Sequence, residues 1–251
     1  MERQVDLEAY QAVLFDLDGV ITDTASLHAA AWKAMFDGFL DKHAERLGVP
    51  PTPFSIDEDY RRFVDGKPRY DGVRTFLKSR GIELPEGSSD DPPDTLTVRG
   101  LGNRKNELIV RLIEEEGVAT YPGSLALVHW LRGQEIPMAI VSSSANARAA
   151  LDSAAITALF DVIVDGVVAA ELKLPGKPAP DAFLLAAERL GVPPSETVVI
   201  EDALVGVAAG EAGGFGLVVG VDRLGQADAL ANAGADVVVS DLAELVPAGS
   251  L

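Results

Sequence analysis

Six short apolar segments, most of them rich in valine and isoleucine, recur along the 251 residues of the chain. From the second segment onward helical patterns separate them, for example at residues 148–156 and 180–190. Strands with many β-branched residues that alternate with helices are typical of a parallel sheet covered on both faces. The sequence therefore predicts an α/β fold with a doubly wound parallel sheet, a Rossmann-like core. The predicted strands are residues 12–16, 138–142, 162–164, 198–201, 217–221 and 237–239.

The region between the first strand and Tyr121 has a different pattern, with helical periodicity and no convincing strand. Two breaks, residues 48–54 and 84–94, are rich in Pro, Asp, Ser or Gly, which favour loops. We therefore predict a small all-helical cap domain inserted after the first strand. The cap would comprise residues 25–117, and the core domain residues 1–24 and 118–251. Within the cap we predict a loop at residues 84–97 and helices at residues 27–47, 57–64, 70–79 and 104–116.

The composition limits the classes of partner. A formal net charge of −18 argues against nucleic acid and anionic membranes, because both bind positively charged protein surfaces. The chain has no cysteine, which excludes disulfides, thiolate metal sites and a cysteine nucleophile. Residues 1–10 are polar and acidic, unlike a secretory signal, and no apolar run approaches the length of a membrane span. We expect a cytoplasmic monomer that binds neither nucleic acid nor membrane.

Two aspartates lie at the end of the first predicted strand. Asp16 and Asp18 are two residues apart, and Gly19 directly after them allows the chain to turn. Side chains at this spacing point the same way on a strand, so a strand continued through Asp18 would bring both carboxylates together. Two like-charged acids at the end of a buried strand are costly unless a cation or a proton relieves their repulsion. The spacing indicates a hard metal ion and an aspartate that acts covalently.

Other predicted strands also end in residues that could take part in catalysis or ligand binding. Ser142 lies at the end of the second predicted strand, Glu201 and Asp202 lie at the end of the fourth, and Lys177 lies in a loop ahead of a helix. Ligands of open α/β sheets bind outside the carboxyl ends of the strands, so these residues could meet in one cleft. Carboxylates suit Mg²⁺, while a hydroxyl and an ammonium suit phosphate oxygens. The set predicts a magnesium-dependent phosphoryl transfer in which one carboxylate attacks.

The order of these motifs resembles the haloacid dehalogenase superfamily of phosphotransferases. That family has Asp-x-Asp-Gly after its first strand, a hydroxyl residue after the second, a lysine ahead of a helix and an acidic pair after a later strand. The predicted helical insertion lies where the family carries a small mobile cap. Residues 15–24, His28, Trp32 and residues 121–123 are similar to the β-phosphoglucomutase-like subfamily. This resemblance implies a sugar phosphate substrate and interconversion of β-glucose 1-phosphate and glucose 6-phosphate through a bisphosphate.

The resemblance also implies a role for each matching residue. Asp16 would be the nucleophile that becomes an aspartyl phosphate, and Asp18 would be the general acid/base. Ser142 and Lys177 would hold the transferring phosphoryl group. The implied Mg²⁺ ligands are Asp16, Asp18 through its backbone carbonyl, Glu201 and Asp202. The implied substrate-binding residues are Thr24 at the hinge, His28, which would relay closure to Asp18, Arg69, which would grip the non-reacting phosphate, Lys105, Ser143, Ser144 and Asn146.

Three positions depart from the subfamily pattern. Ala145 and Asp65 stand where lysines would contact the substrate, and Ala203 replaces a serine often found after the acidic pair. These changes leave the phosphoryl chemistry intact and leave the sugar open. A sugar-phosphate phosphatase, in which water accepts the phosphoryl group, therefore remains a second hypothesis. A catalytically silent binding module is a further alternative, which the sequence does not favour because every core chemical position is filled. A dehalogenase is another, but Asp18 and the complete acidic pair fit Mg²⁺-dependent phosphoryl transfer better.

Overall fold

The computed structural model describes residues 5–47, 50–247 and 249, so residues 48 and 49 of the first predicted break lie outside it, as do residues 1–4. Within the described residues one sheet contains six strands in the order β3-β2-β1-β4-β5-β6, and every adjacent pair is parallel. This strand order is that of a doubly wound sheet, and it confirms the predicted fold class. The strands are β1 (Ala12–Phe15), β2 (Met138–Val141), β3 (Val162–Val164), β4 (Thr197–Glu201), β5 (Leu217–Val221) and β6 (Val237–Val239).

Helices connect the strands. They are α1 (Ala25–Leu47), α2 (Arg69–Ser79), α3 (Val98–Glu116), α4 (Pro122–Gly133), α5 (Ala147–Ser153), α6 (Gly166–Glu171), α7 (Asp181–Leu190), α8 (Leu204–Ala212) and α9 (Ala227–Asn232). A π-helical segment, Ile56–Val64, lies between α1 and α2. In the described part of the chain no helix is long and apolar enough to cross a membrane.

Alternating side chains of the strands supply two apolar layers, one on each face of the sheet. Val13 and Phe15 of β1 belong to the layer that α4 and α5 cover, whereas Leu14 belongs to the layer that α7 and α8 cover. Phe15 pairs with Ile140 of β2 and Ile200 of β4, so β1 lies at the centre of the sheet. Because both faces are buried, the strands read as continuous apolar runs in the sequence.

The chain is divided into two compact units. The core unit comprises Met1–Asp23 and Val118–Leu251, and the helical unit comprises Thr24–Gly117. The helical unit has its own apolar centre, in which Phe36 is fully buried and packs against three aromatic rings. The centroid of its ring lies 5.3 Å from that of Trp32, 5.1 Å from that of Phe54 and 4.0 Å from that of Phe76.

Several boundaries of the predicted elements are shifted in the structure. Strands β1 and β2 each end one residue earlier than predicted, so Asp16 and Ser142 lie just beyond them. Helix α3 begins at Val98 rather than at residue 104, because Thr97 accepts a hydrogen bond from Gly100 N and caps the helix. The segment from Leu84 to Thr97 contains neither helix nor strand, as predicted.

Candidate active site

The turn after β1 positions the first aspartate. The amide of Asp16 donates to the carbonyl of Ile200, 2.9 Å away, which extends the pairing with β4 by one residue. Gly19 then reverses the chain at φ +91°, and its amide donates to the carbonyl of Thr22. A Cβ atom at Gly19 would lie 1.9 Å from Oδ2 of Asp202. Glycine is therefore required both by the backbone conformation and by the close approach of the second acidic turn.

Lys177 joins two of the acids. Its Nζ atom lies 2.6 Å from Oδ1 of Asp16 and 2.5 Å from Oε1 of Glu201, and all three residues are buried. The carbonyl of Val141 is 3.4 Å from the same nitrogen, so each of its three donors has a protein acceptor. The ammonium also lies 4.9 Å from the centroid of the Phe183 ring. One cation is thus shared by two buried carboxylates.

Glu201, the last residue of β4, is fixed on both sides of its carboxylate. Oε1 faces Lys177, and Oε2 accepts a hydrogen bond of 2.8 Å from the backbone amide of Ala203. Because this donor is a backbone group, the replacement of serine by Ala203 leaves the contact intact. The first turn of α8 packs against the same carboxylate, and a Cβ atom at Gly206 would lie 1.7 Å from Oε1.

Three carboxylates converge to form a candidate metal site. Asp16, Glu201 and Asp202 each offer an oxygen within 4.8 Å of the other two. Burial raises the pKa of Asp16 well above its usual value; Lys177 opposes this effect, and Glu201 and Asp18 add to it. Burial lowers the pKa of Lys177, but the attraction of Asp16 and Glu201 outweighs it, so the pKa of Lys177 lies above its usual value. Asp16, by contrast, shares this one ammonium with Glu201. The site therefore carries more negative than positive charge, and its oxygen ligands fit a hard divalent cation such as Mg²⁺.

The loop after β2 brings Ser142 to Asp18. The amide of Ser142 continues the pairing with β3 by donating to Val164 O, and its hydroxyl lies 3.3 Å from Oδ2 of Asp18. The same hydroxyl accepts from the amide of Ser144, and the Ser144 hydroxyl accepts from the amide of Asn146. The predicted residues Ser142, Ser143, Ser144 and Asn146 thus form one turn that leads into α5.

The remaining predicted residues belong to the helical unit. His28 Nδ1 lies 2.8 Å from Nζ of buried Lys105, which also lies 5.2 Å from the centroid of the Trp32 ring. An ammonium can only donate, so Nδ1 is the acceptor and a neutral His28 carries its proton on Nε2. Thr24 is buried ahead of α1, and its carbonyl accepts from the amide of His28. Arg69 begins α2, and its buried Nε atom has no hydrogen-bond partner among the described residues.

Three residues that contact the acidic turns, Gly206, Arg223 and Gln226, were missed by the sequence analysis. Gly206 makes room for Glu201, and a glycine in the first turn of a helix that follows an acidic strand end was a usable signal. Arg223 donates from Nε to the carbonyl of Gly19 over 2.9 Å. It follows β5 at the same edge of the sheet, where sequence reasoning had considered only β1, β2, β4 and the lysine loop.

The arrangement as a whole combines a buried carboxylate pair, a neighbouring acid, a hydroxyl and an ammonium at the carboxyl edge of the sheet. Residues 10–214 match the model of the haloacid dehalogenase-like hydrolase family. The chain belongs to that family.

Individual relatives and a solved structure indicate which members of the family this chain is similar to. The chain is 52% identical over 242 residues to β-phosphoglucomutase of Mycobacterium tuberculosis, a match that covers 95% of this chain and 92% of that protein. It is 32% identical over 203 residues to hexitol phosphatase A of Escherichia coli, covering 80% and 78% of the two chains. The crystal structure of β-phosphoglucomutase from Clostridium difficile superposes with a TM-score of 0.74 at 26% identity, covering 94% and 93%. The resemblance inferred from the motifs, to the haloacid dehalogenase superfamily and to its β-phosphoglucomutase-like members, is confirmed.

Proposed function

We propose that this protein is a Mg²⁺-dependent sugar phosphomutase that interconverts β-glucose 1-phosphate and glucose 6-phosphate through an aspartyl phosphate on Asp16. The observation that carries the proposal is the convergence of three carboxylates and only one ammonium, from Asp16, Glu201, Asp202 and Lys177. The similarity to β-phosphoglucomutases over most of both chains supports the same substrate class.

Asp16 is the proposed nucleophile. One of its carboxylate oxygens attacks phosphorus, an O–P bond forms, and the bond from phosphorus to the sugar oxygen breaks. Asp18 gives its proton to the departing sugar oxygen. In the second half-reaction Asp18 takes a proton from the acceptor hydroxyl, whose oxygen attacks phosphorus and releases Asp16. The electrostatic influence of Asp18 on Asp16, and its hydrogen bond from Ser142, support a shared location for these two acids.

Asp16, Glu201 and Asp202 are the proposed metal ligands, and the backbone carbonyl of Asp18 is a fourth. Bound Mg²⁺ would supply positive charge that offsets the carboxylates and the phosphoryl oxygens. Lys177 and Ser142 would then hold the transferring group, because a loose phosphoryl transition state is stabilised mainly by positioned cations and donors. Ser143, Ser144 and Asn146 remain proposed substrate contacts on the same loop.

In the helical unit, Arg69 and Lys105 are the proposed contacts to the sugar phosphate. The planar fork of donors on the Arg69 guanidinium matches a pair of phosphate oxygens, and the buried Nε atom supports this role because this donor lacks a partner among the described residues. The paired His28 and Lys105 side chains support a coupled role for these two residues. Thr24 remains the proposed hinge.

A sugar-phosphate phosphatase is the second candidate. The substitutions at Ala145 and Asp65 favour it, because both remove positive charge from positions predicted to grip the substrate. The similarity to hexitol phosphatase A also supports it. Water would then replace the sugar hydroxyl as the group that attacks the phosphorylated Asp16.

The deciding experiment incubates the protein with Mg²⁺, β-glucose 1-phosphate and a trace of the bisphosphate, and follows both products by phosphorus NMR. Glucose 6-phosphate is the expected product, and release of inorganic phosphate alone would favour the phosphatase. Asp16→Asn should abolish turnover, whereas Asp228→Asn, which alters an exposed aspartate of α9, should leave it unchanged. Absence of turnover across a panel of sugar phosphates would instead favour a silent binding module.

A further inference from the structure

The loop between β5 and α9 makes contacts that the proposed chemistry does not use. Arg223 in this loop donates from Nε to the carbonyl of Gly19, 2.9 Å away, and from Nη1 to the carbonyl of Ser240, 3.2 Å away. Its guanidinium carbon lies 3.7 Å from the centroid of the Tyr121 ring. The side chain is therefore held by three separate groups while it binds the turn that carries Asp16 and Asp18.

A second residue of the same loop reaches the other acidic turn. Gln226 Nε2 lies 3.3 Å from the backbone carbonyl of Asp202. The carboxylate of Asp222 accepts from the amides of Leu224 and Gln226, at 3.2 Å and 2.8 Å. These local bonds fix the path of the loop between the two residues that make the contacts. The loop thus forms a hydrogen bond with each of the two turns that supply the candidate metal ligands.

The two turns also touch each other directly. Oδ2 of Asp202 lies 1.9 Å from the position that a Cβ atom of Gly19 would take, so a shift of Gly19 changes the space available to that carboxylate. Loops are otherwise the most mobile parts of a sheet protein, and metal affinity depends on ligand positions set by surrounding groups. A side chain that fixes Gly19 and one that fixes Asp202 therefore control the same geometry.

We propose that Arg223 and Gln226 are positioning residues that hold the Asp16–Gly19 turn and the Glu201–Asp202 turn at the spacing required for Mg²⁺. This inference rests on the proposed function, because it assigns the two residues to the metal site of that reaction. Arg223 contributes a hydrogen bond and a stacked, immobilised guanidinium. Gln226 contributes a hydrogen bond alone, so its effect is the smaller.

The test measures Mg²⁺ binding directly, by calorimetric titration of the full-length protein without substrate. Arg223→Met keeps the length of the side chain and removes its donors, and it should weaken Mg²⁺ binding by about 10- to 100-fold, the usual effect of removing a group that orients metal ligands. Arg223→Lys retains one donor and should restore part of the affinity. Gln226→Met should weaken binding less than Arg223→Met does.

Turnover provides a second readout. At saturating Mg²⁺ the substrate KM of Arg223→Met should match that of the wild type, while the Mg²⁺ concentration for half-maximal rate should rise by the factor seen in calorimetry. A general loss of folding would not produce this division between the two constants. Arg189→Met, which alters an exposed arginine of α7, is the matched control and should change neither constant.

Each outcome decides between the two proposals. If the wild type binds Mg²⁺ and both Arg223→Met and Gln226→Met bind it equally well, the inference is overturned and the proposed function stands. If the wild type does not bind Mg²⁺, the proposed function fails and the inference fails with it. If Arg223→Met does not fold, Gln226→Met decides alone, because it removes a single contact of an amide side chain.

Discussion

Replacement of Gly206 with alanine should destabilise the protein, although the same change in most helices stabilises it. The backbone of Gly206 is in an ordinary helical conformation within α8, so helix propensity alone favours alanine by about 1 kcal/mol. The added methyl carbon, however, would lie 1.7 Å from Oε1 and 2.0 Å from Cδ of Glu201. Such distances require the carboxylate to leave its position.

The cost follows from the contacts that Glu201 would lose. Its carboxylate is buried, pairs with Lys177 and accepts from the amide of Ala203. Disruption of a buried ion pair typically costs about 3–5 kcal/mol, so subtraction of the propensity gain leaves a net loss of about 2–4 kcal/mol for Gly206→Ala. Because Glu201 is also a proposed metal ligand, Mg²⁺ affinity should fall with stability.

Urea unfolding of wild type and variant measures the first effect, and calorimetric Mg²⁺ titration measures the second. Gly133→Ala is the matched control, since Gly133 ends α4 and no atom lies within 4 Å of the methyl position. That control should be as stable as the wild type or more so, by up to about 1 kcal/mol. A Gly206→Ala variant with unchanged stability and unchanged Mg²⁺ affinity would refute the steric reasoning and the assigned position of Glu201.

Three further predictions concern other parts of the molecule. Lys177→Met leaves Asp16 and Glu201 without their shared ammonium, so kcat with a sugar phosphate should fall by about 10²–10³-fold in a steady-state assay. Phe36→Ala removes a buried ring that touches three others and should destabilise the helical unit by about 3–5 kcal/mol, measured by Trp32 fluorescence in a Trp130→Phe background. Glu244→Gln should destabilise the protein near neutral pH by at most about 0.5 kcal/mol, because hydrogen bonds from the Ser240 hydroxyl and the Asp241 amide lower the pKa of Glu244 below its unfolded value of 4.5, while solvent screens this exposed side chain. That stabilisation is present above the unfolded pKa and lost as pH falls through the folded pKa, so wild type and variant should converge in acid unfolding curves.

The strands could be predicted from the sequence because both faces of the sheet are buried. A continuous apolar run such as Val13–Phe15 has no polar face, and the first charged residue after it therefore indicates where the strand ends. The order of chemical residues at the strand ends could be predicted for the same reason. The hydrogen bond between Asp18 and Ser142 joins residues 124 positions apart, and only the parallel pairing of β1 with β2 makes it accessible to sequence reasoning.

Local propensity was less reliable where tertiary contacts compete with it. Helix α3 begins six residues before the predicted start, through Gly100 and Gly102, which would normally disfavour a helix. A Cβ atom at Gly100 would lie 2.2 Å from the carbonyl of Thr95, and one at Gly102 would lie 2.6 Å from the ring of Tyr70. Close packing requires glycine at both positions, and no pattern in a single sequence distinguishes that requirement from a loop.

The charge balance of the site is compatible with the proposed binding of an anionic substrate by a protein whose net charge is −18. When Asp16, Glu201 and Asp202 are all ionised and Asp18 carries the proton that the proposed reaction requires, these carboxylates and the Lys177 ammonium have a net charge of −2, which one divalent cation would offset. In the structure the donors of Lys177 are directed at Asp16, Glu201 and Val141, so the ammonium must give up a protein acceptor before it can hold a phosphoryl oxygen. A cation that takes over part of the charge of Asp16 and Glu201 lowers the cost of that exchange. In the proposed reaction, metal binding and the release of Lys177 toward the substrate would therefore be coupled, and the proposed positioning residues Arg223 and Gln226 would influence both.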